Sequence, residues 1–369
     1  MKKNKHLYQQ IKLNIIEDIE NGEYKPGDKI GTEKELCDIY DVSRSTIRRA
    51  LEELEESNLI ERLLGKGTFV KDSYKLESQN NKNLMVIVPV ISQDFISNII
   101  TGIQEVANQK GYSMNLCITN NSIEKETAYL NQSKHNDSVG VILHPTNSKY
   151  YNPEVIKLIG KKPLIMTARY YKYIDCNYVV PNNFQGAFKA VNHLIELGHK
   201  NIGLISDTPN FRTSVQERIE GYKEALNSNN LLVNKKIIID NLEDPCRLYA
   251  SKPEKKDQIL DIIKRFLIDN KDNLTAIFAI NDFLARETII AAKQVGMKVP
   301  NEISIVGFDN VILSEKSEPP LTTINWSQYD VGVTATRELI NSIENKSNKN
   351  IKKTLPVNLV QRESTFKKN

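Results

Sequence analysis

The chain lacks several features that would narrow its chemistry at once. No apolar run reaches the ~18 residues of a membrane-spanning helix, so no span is expected. The basic start, MKKNKHLYQQ, is followed by no apolar signal-peptide core, which makes the cytoplasm the expected compartment. The cysteines Cys37, Cys117, Cys176 and Cys246 lie far apart with no CxxC pair. They read as reduced core thiols. Also absent are a GxGxxG after a strand, a Walker pattern, a GxSxG elbow and an HExxH helix. No catalytic residue, metal or cofactor is therefore expected. Charge excludes little: 50 Lys/Arg against 46 Asp/Glu leave +4, a balance that neither demands nor forbids a polyanionic partner.

What is present changes texture along the chain. Its 369 residues exceed what one core usually supports. Residues 71–83, KDSYKLESQNNKN, are polar and without period, and read as a linker. Before them, residues 1–70 carry helical patterns. After them, residues 84–369 alternate short apolar strands with amphipathic helices. The strands are LMVIVPV, MNLCIT, VGVILH, PLIMTA, NIGLIS, TAIFAI and ISIVGF, and helices such as SNIITGIQEVANQKG and FQGAFKAVNHLIELG fit between them. That alternation predicts an α/β fold of mostly parallel sheets with helices on both faces, in two lobes sharing a cleft.

In the first segment Thr32, followed three residues later by Glu35, predicts a capping box and a helix running to about Tyr40. A short turn follows, then VSRSTIRRALEEL. Ser43 is placed to cap a second helix whose Ile47, Ala50, Leu51 and Leu54 form one apolar face. Two helices joined this way make a helix-turn-helix, whose second helix presents its front end to a major groove. Arg44 and Arg48 lie one turn apart there, and Ser45, Arg48 and Arg49 share the polar face. An arginine fork can hold guanine O6 and N7, and hydroxyls can hold phosphates or base edges. A solvated helix face is the alternative reading of two arginines alone. The next stretch, LIERLLGKGTFV, reads as a β-hairpin tipped by Gly65, Lys66 and Gly67. Helix, turn, helix and hairpin together predict a winged helix.

The run YKPGDKIGTEKELCDIYDVSRSTIRRALEELEESNLIERLLGKGTFV resembles the GntR-type DNA-binding module over its whole length. The resemblance implies DNA contacts at Lys34, Arg44, Ser45, Thr46, Arg48 and the wing around Gly65 and Lys66. Residues 1–70 hold 12 Lys/Arg against 14 Asp/Glu, but the signs are segregated. Acids gather at Glu17–Glu23 and Glu52–Glu56, and bases at Lys2–Lys5, Arg44–Arg49 and Arg62–Lys66. A basic stripe suffices for duplex binding, and its modest charge predicts a homodimer on two half-sites.

In the second segment Asn281 and Asp282 follow one strand and Asp309 follows another, at the carboxyl ends where open α/β sheets place ligands. Arg169 and Tyr170 end a third, and Arg218 opens a helix. Carboxylates, guanidinium groups and aromatics in such positions suit a small polyhydroxylated ligand; taken alone, Asp282 has a helix cap and Arg218 a surface residue as the alternative reading. NNFQGAFKAVNHLIELGHKNIGLIS, RIEGYKEAL, IFAINDFLA, VPNEISIVGFDN, PPLTTINWSQYDVG and VQRES match the effector domain of the lactose-repressor superfamily in order and spacing. That resemblance implies the two-lobed fold of type I periplasmic sugar-binding proteins. It also implies a homodimer formed through this segment.

The pairing of the two modules resembles the L-arabinose-responsive repressors. It implies effector contacts at Arg169, Arg218, Asp282, Asp309, Trp326 and Gln328, with Phe95, in Ser92–Ile96, and His144, in His144–Asn147, on the N-terminal wall. Much of the wider family has glutamine where Trp326 stands, and a tryptophan suits stacking on a sugar face. His193 and His199 read as structural. The implied partners are operator DNA and a small sugar, with no membrane. Another pentose, a hexose or a nucleoside is the alternative effector. A nucleotide-binding enzyme is opposed by the missing motifs, and a transport binding protein by the winged helix and the absent signal peptide.

Overall fold

The computed structural model describes residues 4–20, 22–71, 82–134, 138–146, 150–208, 212–242, 254–346 and 350–368. Most of the expected linker, together with Cys246 and Asn147, lies outside the described residues. The chain divides into two compact units, Met1–Asn81 and Lys82–Asn369.

The first unit runs α1 (Asn4–Glu20), β1 (Lys29–Gly31), α2 (Glu33–Tyr40), α3 (Arg44–Glu56), β2 (Ile60–Leu63) and β3 (Gly67–Val70). The Glu35 amide donates to Thr32 Oγ1 at 3.3 Å and the Thr32 amide to the Glu35 carboxylate at 2.6 Å, so the capping box starts α2. Asp41, left-handed at φ 48°, ends it. Ile47, Ala50, Leu51 and Leu54 of α3 are fully buried in a core shared with Ile15, Leu36 and Ile60. Helical spacing puts all four on one face, and their burial holds the unit together. Strands β2 and β3 pair antiparallel, with Leu63 opposite Gly67, across a turn that needs Gly65 at φ 75°. This is a winged helix.

The second unit has two six-stranded sheets. The chain first lays down β4 (Asn83–Val88), α4 (Asp94–Gln109), β5 (Ser113–Ile118), α5 (Ile123–Gln132), β6 (Gly140–Leu143), α6 (Pro153–Leu158), β7 (Leu164–Thr167) and β8 (Tyr178–Pro181). It crosses to build α7 (Asn183–Glu196), β9 (Ile202–Asp207), α8 (Thr213–Ser228), β10 (Ile238–Leu242), α9 (Glu254–Asp269), β11 (Ala276–Ala279), α10 (Asp282–Gln294), β12 (Ser304–Phe308), α11 (Ile312–Glu315) and β13 (Thr322–Trp326). It returns for α12 (Gln328–Glu344) and β14 (Lys352–Leu355), then crosses a last time to β15 (Val357–Val360). The first sheet has the order β14-β8-β7-β6-β4-β5 and is parallel throughout. The second has the order β10-β9-β11-β12-β13-β15, with only β15 antiparallel. Strands β6, β9, β11 and β12 are buried along their whole length, as helices on both faces require. No helix among the described residues is long and apolar enough to cross a membrane.

Helices α4 and α12 cover the first sheet in backbone contact. A Cβ on Gly102 would lie 2.3 Å from the Tyr329 carbonyl oxygen, and one on Gly332 would lie 2.1 Å from that of Ile99. Only glycine permits this approach, so Gly332→Ala must push the helices apart. It is expected to lower the unfolding free energy by about 1–3 kcal/mol. A urea-unfolding midpoint equal to that of the unaltered protein would contradict this account of the helix pair.

Candidate functional site

The winged helix presents a groove of about 570 Å³ between the fronts of α2 and α3 and the wing, lined among others by Lys34, Arg44, Arg48, Arg62 and Gly65. Each lining arginine has a carboxylate beside it. Arg44 meets Glu33 at 2.8 Å, Arg48 meets Glu52 at 3.3 Å, and Arg62 meets Glu55 at 2.6 Å. At the two most exposed of these, Arg44 and Arg48, such pairs contribute little and exchange readily for another anion. Ser45 and Lys66 are exposed beside the groove. Arg49 turns away, its guanidinium 4.3 Å from the centre of the Tyr8 ring on α1.

The second unit holds a cleft of about 90 Å³ at the carboxyl ends of both sheets. From the first sheet come Phe95, His144 and Arg169, and from the second Arg218, Asp309 and Trp326. The Arg218 guanidinium lies 3.6 Å over the Phe308 ring centre. It donates to Asn183 Oδ1 at 3.0 Å, to the Ile280 carbonyl at 2.8 Å and to Asp309 Oδ1 at 3.0 Å. Trp326 Nε1 donates to the same Asp309 oxygen at 2.9 Å. Burial pushes the Asp309 carboxyl up, and the charge of Arg218 opposes that. On the other wall, Arg169 donates to His144 Nε2 at 2.8 Å. Arginine is always a donor, so the proton of this imidazole sits on Nδ1. Burial, then the Arg169 charge, hold the His144 pKa well below its usual value. Among the described residues, the buried His144 Nδ1 has no hydrogen-bond partner. Phe95 lies between His144 and Trp326, 6.1 Å from each ring.

Residues 7–70 match the family described as "Bacterial regulatory proteins, gntR family", and residues 191–365 match "Periplasmic binding protein-like domain". An arabinose metabolism transcriptional repressor of Geobacillus stearothermophilus is 31% identical over 345 residues, covering 92% of this chain and 92% of the relative. The chain belongs to this repressor family. Its members join a GntR-type winged helix to a LacI-like effector domain and repress genes of sugar metabolism; they are regulators, not enzymes. The transcription regulator CcpA of Lactococcus lactis shares the fold, with a TM-score of 0.68 at 21% identity over 78% of this chain and 100% of that one. A LacI family regulator from Enterococcus faecium with bound ribose gives 0.64 at 26% identity, again over 78% and 100%.

Several site expectations of the repressor are corrected by the geometry. Asp282 does not line the cleft. It is 1% exposed and accepts from the Val311 amide at 3.1 Å and from Thr323 Oγ1 at 2.5 Å, so its oxygens brace the loop that carries Asp309. Nor does it cap α10: its neighbour Asn281 does so, accepting from the Leu284 amide at 2.9 Å, and it is Asn281 that lines the cleft. Gln328 also stands behind the cleft, with Nε2 donating to the Asp309 carbonyl at 2.6 Å. In the winged helix, Thr46 is buried, and its hydroxyl bonds Ser43 Oγ at 2.8 Å. It steadies the front of α3 instead of facing the groove. Ser43 occupies the cap position, but its side chain makes no bond to a helix amide. The cleft also contains Asp207 and Arg212, paired at 2.8 Å, which the sequence reading missed. Asp207 closes the buried strand IGLISD, and only the strand-end rule could have marked it. His193 and His199 bind Thr365 and the Phe366 carbonyl, fixing the C-terminal segment.

Burial, and then the nearby Asp309 charge, push the Asp282 pKa up to about 7. The folded protein thus holds this proton more tightly than the unfolded chain. The stability it contributes is complete below the ordinary carboxylate range and is lost as pH rises through about 7. Asp282→Asn cannot titrate, so it is expected to flatten the fall in stability between about pH 5 and pH 8. Urea unfolding at both pH values checks this; an unchanged slope would mean that Asp282 is ionised throughout.

Proposed function

We propose that the protein is a cytoplasmic repressor of L-arabinose utilisation genes, which leaves its operator when L-arabinose enters the cleft. The observation that carries this reading is the make-up of the cleft. Guanidinium, carboxylate and imidazole groups from both lobes surround a space of about 90 Å³, well below the ~300 Å³ of sites for drug-sized ligands. Phe95 and Trp326 supply apolar faces for C–H edges, and His144 Nδ1, buried with no partner among the described residues, can donate to a hydroxyl oxygen. The G. stearothermophilus relative, an arabinose metabolism repressor, favours arabinose among the pentoses. The bound ribose of the E. faecium neighbour makes D-ribose the second reading.

On the DNA side, Lys34, Arg44, Ser45 and Arg48 read the operator, with Gly65 and Lys66 of the wing alongside. Two copies act on two half-sites, dimerised through the effector domain. Residues 71–83 link the modules. Sugar can release DNA only if it binds the DNA-incompetent state more tightly, and operator DNA must then weaken sugar binding by the same factor.

Two outcomes are expected. Arg48→Ala is expected to cost about 1–3 kcal/mol of operator binding, measured by fluorescence anisotropy, with unchanged thermal unfolding. An unchanged affinity would remove Arg48 from the reading face. Titrating L-arabinose and D-ribose in parallel into the operator complex is expected to release DNA with arabinose at the lower concentration. Release by ribose alone would give the effector role to ribose, and tighter DNA binding with sugar would make the protein a corepressor-dependent regulator.

A further inference from the structure

Arg169 and Arg218 face each other across the cleft from opposite lobes, and the residue next to each reaches across the same lobe boundary. Tyr170 follows Arg169 in the loop after β7. Its amide donates to Thr213 Oγ1 at 3.1 Å, and its hydroxyl donates to Glu217 Oε1 at 2.8 Å. Both acceptors lie on α8, the helix that carries Arg218. The other Glu217 oxygen accepts from Asn183 Nδ2 at 3.1 Å, and Asn183 Oδ1 accepts from Arg218 Nε at 3.0 Å. Arg218 in turn holds Asp309, and Asp309 holds the indole of Trp326. An unbroken hydrogen-bonded path therefore runs from the first lobe's loop to the effector arginine and the single tryptophan.

The members of this path are committed to it. Asn183 is 1% exposed and stands at the first crossover between the lobes. The Tyr170 ring stacks on Tyr178 at 4.1 Å, which fixes the direction of its hydroxyl. Burial raises the Glu217 carboxyl above its usual range, and its bonds to Tyr170 and Asn183 work against that. A carboxylate desolvated this far depends on both donors, so a shift of either one moves the other.

We infer that Tyr170 and Glu217 form an interlobe latch that positions Arg218 for effector binding, so that the approach of the two lobes and the geometry of the cleft change together. The inference rests on the cleft being the effector site. Neither residue touches the ligand; both are positioning residues acting through Asn183.

The test uses the full chain and the emission of Trp326. Tyr170→Phe keeps the ring stack and removes one hydroxyl, Glu217→Gln replaces the shared carboxylate, and Lys157→Ala removes an exposed ion pair to Glu154 (2.7 Å) that lies off the path. In L-arabinose titrations, each of the first two is expected to raise the midpoint about three- to tenfold, the effect of one hydrogen bond. The double variant is expected to be no worse than the weaker single, since one path is broken once. Lys157→Ala is expected to match the unaltered protein. Midpoints unchanged in Tyr170→Phe, or an additive double variant, overturn the latch. If Glu217→Gln does not fold, Tyr170→Phe alone decides. If the unaltered protein ignores L-arabinose, the sugar assignment falls. The latch is then judged without ligand, where a Trp326 emission maximum or acrylamide quenching altered in Tyr170→Phe supports it and identical values overturn it.

Discussion

The effector domain depends on one buried ion pair. Arg218 and Asp309 meet at 3.0 Å with little exposure on either side chain, and taking two charges out of water costs several kcal/mol per ion before any attraction is recovered. Further partners offset the cost: Asn183, the Ile280 carbonyl and the Phe308 face for Arg218, and Trp326 for Asp309. Asp309 also sits at φ 121°, in a backbone region that costs a non-glycine residue about 1–3 kcal/mol. Gln328 holds its carbonyl there, and Asp282 holds the Val311 amide two residues on. Asp282 and Gln328 thus serve the cleft from behind, by keeping a strained carboxylate in place.

Most of the architecture was legible in the sequence, and the gaps have physical reasons. All seven apolar runs became strands: six are interior strands that helices cover on both faces, and MNLCIT is the half-exposed edge strand β5. The strands that escaped notice include the short interior YVVP (β8), edge strands and one strand led by threonines. Edge strands such as IIDNL (β10) and KKTL (β14) are partly solvated and mix apolar with polar residues. TTINW (β13) is central and buried, yet begins with two threonines whose hydroxyls find partners in Thr365 and Asp282. A hydroxyl that is satisfied inside the protein looks, in sequence, like one that faces water.

The site was legible by neighbourhood rather than by atom. The strand-end rule marked both Asn281 and Asp282 within IFAIND and the resemblance carried over Asp282, whereas it is Asn281 that lines the cleft. Asn281 and Asp282 point to different places because the helix begins between them, and a charge is not by itself a sign of ligand contact. Likewise Arg48 and Thr46 differ by two positions on α3, about 200° around the helix axis. One is solvated and the other is part of the core.

The three crossings between the sheets carry a consequence for biogenesis. The first lobe takes its covering helix α12 and its edge strand β14 from beyond residue 327, and the second takes β15 from beyond residue 356. Neither lobe is a contiguous stretch of chain, so neither can close while most of it is still being synthesised. The winged helix, complete by Val70, is under no such constraint. In each newly made molecule the winged helix can therefore be finished long before the domain that follows it.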